Sequence, residues 1–355
     1  MFFCISTAQH QQSQYLSEKK SVGNFLLQTD KGWNRHNNIF YKGYCLEGKL
    51  SYKVKNKDFV SAKGNYAIID LDKPAIYYDD CRSFPIFCNE SILTNIAVEN
   101  TQQVWLDSDV FYRNGWSSVF NSNKSIDFDP SKQLYSFDYM VDFVCAYMVK
   151  CVQNLDVEFP IYVANSNGVD STIVQSALDY VGKTYKLVES TKDKEELWGY
   201  RQLHYSSTPH IQATGYCGDE ILLRNPQYVQ WLLEPYGIDL AQEYDKHKHT
   251  YMLGFFNKNY REKIKKSTYD CSTRQKSFDH VKSWISNDYQ MWHIDDVLTF
   301  TPFRNKDLIE MQLYADTDAL IRQCVHADLS KEIIKKLNPK NLQFLSANKN
   351  DVLPD

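Results

Sequence analysis

The chain has 355 residues and a mass of 41.6 kDa, enough for two ordinary domains or one large one. With 43% hydrophobic and 14% aromatic residues it can fill real cores, which excludes a disordered or fibrous protein. Forty basic against 44 acidic side chains leave a net charge of −4, which argues against a general nucleic-acid clamp held by counterion release.

The nine cysteines are scattered, without a CxxC pair or a metal-type cluster, and read as reduced thiols of a cytoplasmic protein. The first residues, MFFCISTAQH, lack the basic flank and long apolar core of a signal peptide. The most apolar run, 137–149, is broken by Asp138 and Asp142, so no membrane span is expected. The 25 tyrosines, alongside abundant Lys and Asn, fit codon bias better than chemistry.

Up to about residue 120 the pattern is short β-like pieces between polar turns. Alternation and aromatic or β-branched content predict strands at 2–6, 38–44, 50–54, 66–71, 75–78 and 92–98. A polar stretch, 121–135, contains a proline and marks a boundary, dividing the chain into domains 1–125 and 126–355. Beyond it the periods lengthen. Met140, Phe143, Val144, Tyr147 and Met148 share one face of a helix predicted over 137–155. A buried strand at 159–164, a helix at 171–181 and a strand at 185–188 follow, and the chain from about 225 is mainly helical. This is the grammar of an α/β domain with a parallel sheet, behind a β-rich first half that makes the whole α+β.

The informative segment is FPIYVANSNGVDSTIVQSAL, residues 159–178. A buried strand runs into Ser166-Asn167-Gly168-Val169-Asp170-Ser171 and then into a helix with Ile173, Val174 and Leu178 on its apolar side. A small, hydroxyl-rich turn between the end of a strand and the start of a helix suits an anion, because amide groups and the helix dipole point at it. Ser166 and Ser171 add hydroxyl donors. Asp170 fits such a site when a cation bridges it to phosphate, as Mg²⁺ does for ATP. The plainer alternative is that Asp170 and Ser171 cap the helix. The Lys-Ser/Thr ending of a Walker A loop is absent.

This turn resembles the SGGxDS loop of the PP-loop ATP pyrophosphatases, with Asn167 in place of the first Gly. Thr214-Gly215-Tyr216-Cys217-Gly218-Asp219-Glu220, in the right order downstream, resembles the SGxGxDE segment of asparagine synthetase and its relatives β-lactam synthetase and lasso-peptide cyclase. The resemblance implies that the first loop holds the β- and γ-phosphates of ATP, that Asp170 and Asp219 hold Mg²⁺ on the pyrophosphate, and that Leu187 and Val188 lie beside adenine. Two carboxylates at neighbouring strand ends also make chemical sense as a hard-cation site. Two fainter echoes follow. Residues 301–308 are similar to the family's PF-D segment, with Asn305 replacing the Asp. Residues 331–349 are similar to the family's ending, in which a final Lys contacts the reacting phosphate; that residue is Lys349.

In the family an Ntn-type glutaminase sandwich precedes the synthetase, and residues 63–70 and 80–87 resemble part of it. That glutaminase needs Cys as its first residue, with the free α-amine as base. Here Cys4 follows Met1-Phe2-Phe3, so either the chain is trimmed before Cys4 or this half does not hydrolyse glutamine. Asp170 and Asp219 are 49 positions apart, a shorter stretch than in asparagine synthetases, and Tyr216 stands where the family has Glu. Both departures bear on substrate choice rather than on the phosphate clamp. His204, His210, His247 and His249 lack a third ligand at zinc spacing.

The expectation is therefore an AMP-forming, ATP- and Mg²⁺-dependent amide ligase that adenylates a carboxylate and hands it to an amine or ammonia. Catalytic roles fall to Lys349 and Asp219, and nucleotide binding to Ser166, Asn167, Gly168, Asp170, Ser171, Leu187, Val188 and Gly215. A homodimer is compatible with this; nucleic acid and membrane partners are not expected. The alternatives are a non-catalytic degenerate synthetase that acts as a binding protein, and another PP-loop enzyme adenylating a nucleobase or tRNA carbonyl.

Overall fold

Where apolar side chains alternate, the chain pairs into sheets. In β6 (Gly64–Asp70), Tyr66 and Ile68 enter one core and Ala67 and Ile69 another, so the strand is covered on both faces. The computed structural model describes residues 3–6, 16, 18–22, 25–30, 32–45, 48–59, 64–78, 86–89, 91–94, 102–104, 118–121, 127–155, 159–165, 168–189, 210–215, 218–247, 270–288, 297–303 and 305–345.

The first half is built from two sheets. Strands β1 (Phe3–Ser6), β2 (Glu18–Val22), β3 (Phe25–Thr29), β8 (Ile86–Cys88), β9 (Ile92–Thr94) and β10 (Gln102–Val104) form an antiparallel sheet ordered β10-β8-β9-β1-β3-β2. The second sheet joins β4 (Asn34–His36), β5 (Ile39–Cys45), β6, β7 (Ala75–Tyr78) and β11 (Ser118–Asn121) in the order β11-β7-β6-β5-β4. Only its β11–β7 pair is parallel. Phe3, Ile5 and Leu27 of one sheet and Ala67, Ile69 and Ile76 of the other share a single core, which makes the pair a sandwich.

One predicted strand is a helix. Residues 50–54 lie in α1 (Leu50–Lys55), because Leu50 and Val54 are buried four residues apart while Tyr52 between them is exposed. That is helical spacing, and the short β-like run concealed it. Of the predicted strand 92–98, Ile92–Thr94 is β9, and 95–98 lie outside the described residues.

The second half is organised around β12 (Ile161–Asn165), β13 (Tyr185–Glu189), β14 (His210–Ala213) and β15 (Val297–Phe300), all parallel, in the order β13-β12-β14-β15. Helix α2 (Phe137–Gln153) begins where the Ser136 hydroxyl accepts from the Tyr139 amide, and it buries Met140, Val144, Tyr147 and Met148, with Phe143 half-buried. It packs with α3 (Val169–Val181) and α10 (Asp328–Leu337), and their apolar faces join Ile161, Val163, Ile211 and Ala213 in one core. Gly182, left-handed at φ 75°, ends α3.

A helical lobe completes this half: α4 (Gly218–Ile221), α5 (Pro226–Leu233), α6 (Leu240–His247), α7 (Arg274–Asp288), α8 (Lys306–Tyr314) and α9 (Thr317–His326). It is tied together by the buried Arg274, whose guanidinium donates to the carbonyls of Leu232, Gln312, Leu313 and Ala315 at 2.5–3.2 Å. A cation at the carboxyl ends of two helices satisfies groups that helix geometry leaves open. The halves touch where the Tyr44 ring packs on Phe300, centroids 5.0 Å apart. Among the described residues no helix is long and apolar enough to cross a membrane.

Candidate functional site

Strand order decides where this half can hold a ligand. From β12 the chain moves to one side to make β13, then returns past β12 to make β14 on the other side. The sheet order therefore reverses at β12 and β14, and ligands of open α/β sheets bind beyond the carboxyl ends of strands at such a switch point. Asp170 follows β12, and the segment from Thr214 to Glu220 follows β14.

Two glycines let these connections interlock. A Cβ at Gly215 would lie 2.5 Å from the Asp170 carbonyl carbon, and one at Gly218 would lie 2.5 Å from the Asp170 Cβ and 2.6 Å from its Oδ1. No ordinary side chain fits either gap. Gly218 donates to the Gly215 carbonyl at 3.0 Å, which folds the turn back so that α4 starts against the Asp170 side chain. From α8, Gln312 donates to the Glu220 and Ile221 carbonyls at 2.8 and 3.0 Å and pins α4 from behind.

The residue capping α3 is Gly168, so no side chain caps this helix. Ser171 and Thr172 both turn their hydroxyls back to the Gly168 carbonyl, at 3.0 and 2.8 Å. Asp170 reaches across to the buried Arg224, whose Nη2 pairs with Oδ2. Arg224 arrives there because Leu223 takes a left-handed backbone, φ 61°, after which the Arg224 amide donates to the Asp219 carbonyl at 2.8 Å. Glu220 holds its proton well above the usual carboxylate range. Burial is the main cause, followed by a hydrogen bond with Asp219 and the negative charges of Asp219 and Asp170.

Glu220 therefore feels the charge of both aspartates, and aspartate oxygens are the donors a hard dication prefers. Among the described residues no group of three His, Cys, Asp or Glu is arranged to hold a metal ion by itself. A dication here would take Asp170 and Asp219 as ligands and complete its shell from phosphate and water, as Mg²⁺ does with nucleotides.

The other predicted site residues are distributed as follows. Leu187 and Val188 lie on β13, next to β12, with Leu187 exposed and Val188 half-buried. Asn305 is the cap of α8, its Oδ1 accepting from the Asp307 amide at 2.7 Å. His210 is buried edge-on to Tyr162 at 5.2 Å. Ser166, Asn167, Tyr216, His204, His249 and Lys349 lie outside the described residues. In the sandwich, Cys4 sits mid-strand in β1 between Gln28 and Thr94, and burial pushes its thiol up to about 11. A buried thiol of that kind is not a nucleophile.

Residue pattern alone assigns no role to Arg224, Glu220 or Gln312. Arg224 carried a signal: it is a lone cation following Asp219-Glu220 in a segment already marked by two glycines. A groove of about 710 Å³ between α2, α9 and α10, lined by Phe137, Asp142, Arg322 and Lys336, is a separate feature. Among its charges, Lys336 pairs with Asp142 and Lys335 with Glu332. Compared with known proteins, the sequence matches no family model and no curated protein.

Proposed function

We infer that the chain is an ATP-dependent, AMP-forming ligase of the asparagine-synthetase type, joining a carboxylate to an amine or ammonia. The observation that carries the reading is the interlock of Gly215 and Gly218 with Asp170, which assembles carboxylates from two separate connections at the switch point of a parallel sheet. The resemblance of the loop sequences supplies the chemistry. Asp170 and Asp219 orient the nucleotide through its Mg²⁺, and Gly168 leaves room for phosphate at the start of α3. Ser166 and Asn167 take the phosphate oxygens, joined by Ser171 once its hydroxyl leaves the Gly168 carbonyl, and Leu187 and Val188 flank the adenine.

A carboxylate oxygen attacks the α-phosphorus, the bond to the bridging oxygen breaks, and pyrophosphate leaves. The amine nitrogen then attacks the acyl carbon of the adenylate, loses a proton, and AMP departs. Bound Mg²⁺ supplies charge neutralisation for the departing pyrophosphate, and Lys349 adds to it.

The test is pyrophosphate release from ATP·Mg²⁺ across a panel of amino-acid and peptide carboxylates with ammonia or amines. Wild type should release it with at least one carboxylate, and Asp219→Ala should lower the rate by roughly a hundredfold or more. ATP binding without pyrophosphate release from any carboxylate would overturn the ligase reading. One observation favours a non-catalytic nucleotide-binding homologue: Asp170 is already engaged by a buried guanidinium. The same assay separates the two, because a binding protein retains Mg²⁺-dependent ATP affinity and releases no pyrophosphate.

A further inference from the structure

Arg224 stands where a metal would compete with it. Its side chain is 3% exposed and that of Asp170 17%, so the guanidinium is the more deeply buried partner of the pair, and the Asp170 Oδ1 is turned inward against Gly218. Arg274, a buried cation of the same half, donates its guanidinium to four backbone carbonyls. The Arg224 guanidinium is instead set on a carboxylate that belongs to the proposed metal site.

We propose that Arg224 is a resident lock on the metal position. In the nucleotide-free protein its guanidinium holds the Asp170 oxygen that a dication would take, and it moves onto the incoming phosphates when metal and nucleotide bind together. This rests on the reading of the strand-end loops as a Mg²⁺–nucleotide site.

The reasons are electrostatic and geometric. A buried guanidinium that loses its carboxylate is costly unless another anion replaces it. A phosphate offers the two-oxygen geometry that suits an arginine fork. Free metal brings no such replacement, so by itself it must displace Arg224 from the Asp170 carboxylate at that cost. Metal and nucleotide are thereby coupled: each binds better when the other is present, by the same factor. The left-handed turn at Leu223 and the Arg224 amide bond to the Asp219 carbonyl hold the backbone, so only the side chain has to move.

The experiment measures binding of Mn²⁺ alone, of ATP in EDTA, and of ATP with Mn²⁺, by calorimetry and Mn²⁺ electron paramagnetic resonance. Wild type should show coupling of about tenfold or more between the two ligands. In Arg224→Gln, Mn²⁺ alone should bind about tenfold tighter and the coupling should fall towards one. Because Arg224 is buried, a second variant covers the case in which that protein fails to fold. Asp170→Asn releases the guanidinium while keeping the side-chain shape, and should bind ATP in EDTA several-fold tighter than wild type. Its gain should exceed that of Asp219→Asn, which removes the same charge without freeing Arg224.

Unchanged Mn²⁺ affinity in folded Arg224→Gln, or equal gains in the two Asn variants, overturns the lock. If wild type binds Mn²⁺·ATP and the coupling survives in the variants, only the lock fails. If wild type binds no ATP under any condition, the nucleotide reading fails and the lock with it.

Discussion

In the sandwich, Asp30 and Lys42 are buried against each other at 2.7 Å, and the Trp33 indole donates to the second Asp30 oxygen at 2.6 Å. At the carboxyl ends of β12 and β14, Asp170, Asp219 and Glu220 gather beside Arg224. The first arrangement pairs one acid with one base, as a buried charge must if it only supports the fold. The second has more acid than base and lies at a topological switch point, where a dication and a polyphosphate would balance it. Charge balance thus separates a structural ion pair from the proposed site.

The largest effects should come from the structural charges. Arg274→Met orphans four carbonyls at helix ends and should lower stability by about 4 kcal/mol in urea unfolding. A loss under about 1 kcal/mol would mean that water readily replaces the guanidinium. Lys42→Met strands Asp30 and should cost about 3 kcal/mol, with most of it recovered in Lys42→Met/Asp30→Asn, where the acceptor for Trp33 remains. No recovery in the double variant would show that the loss does not come from the stranded Asp30 charge.

Next in size, Gly215→Ala forces the β14 connection away from Asp170 and should destabilise by about 2 kcal/mol. It should also abolish any rise in melting temperature on adding ATP·Mg²⁺; a full rise in the variant would remove the interlock from the argument. The smallest effect concerns His280, which packs on the Trp231 ring at 4.1 Å and whose proton affinity is lowered, chiefly by burial. Folded His280 stays neutral further into acid than the unfolded chain's histidine, whose ordinary value is 6.5. Its contribution is therefore present above about 6.5 and is lost as pH falls below that value. Melting temperatures at pH 8 and pH 5.5 should differ more in wild type than in His280→Phe, and equal differences would remove His280 as the cause.

Much of the parallel-sheet half was legible because its signals are local. Met140, Val144, Tyr147 and Met148 recur at helical spacing, and Ile161–Asn165 is a short apolar run before a glycine turn. The sandwich was harder to read. Its strands are three to seven residues long, and Leu50–Lys55 mimics one of them while burying an i, i+4 pair. In the site, Asp170 and Asp219 stood out through the glycines and carboxylates around them. Arg224 did not, because its role depends on one left-handed residue, Leu223, that no propensity predicts.

By itself the sequence determined the aromatic-rich composition and the two glycine-marked loops, since each is a matter of residue type and spacing along the chain. Tertiary structure alone decided that the loops interlock through Gly215 and Gly218 and that Asp170 meets Arg224. It also set Cys4 between Gln28 of β3 and Thr94 of β9. These are contacts between segments tens of residues apart, fixed by strand order and backbone approach, and local periodicity carries no record of either.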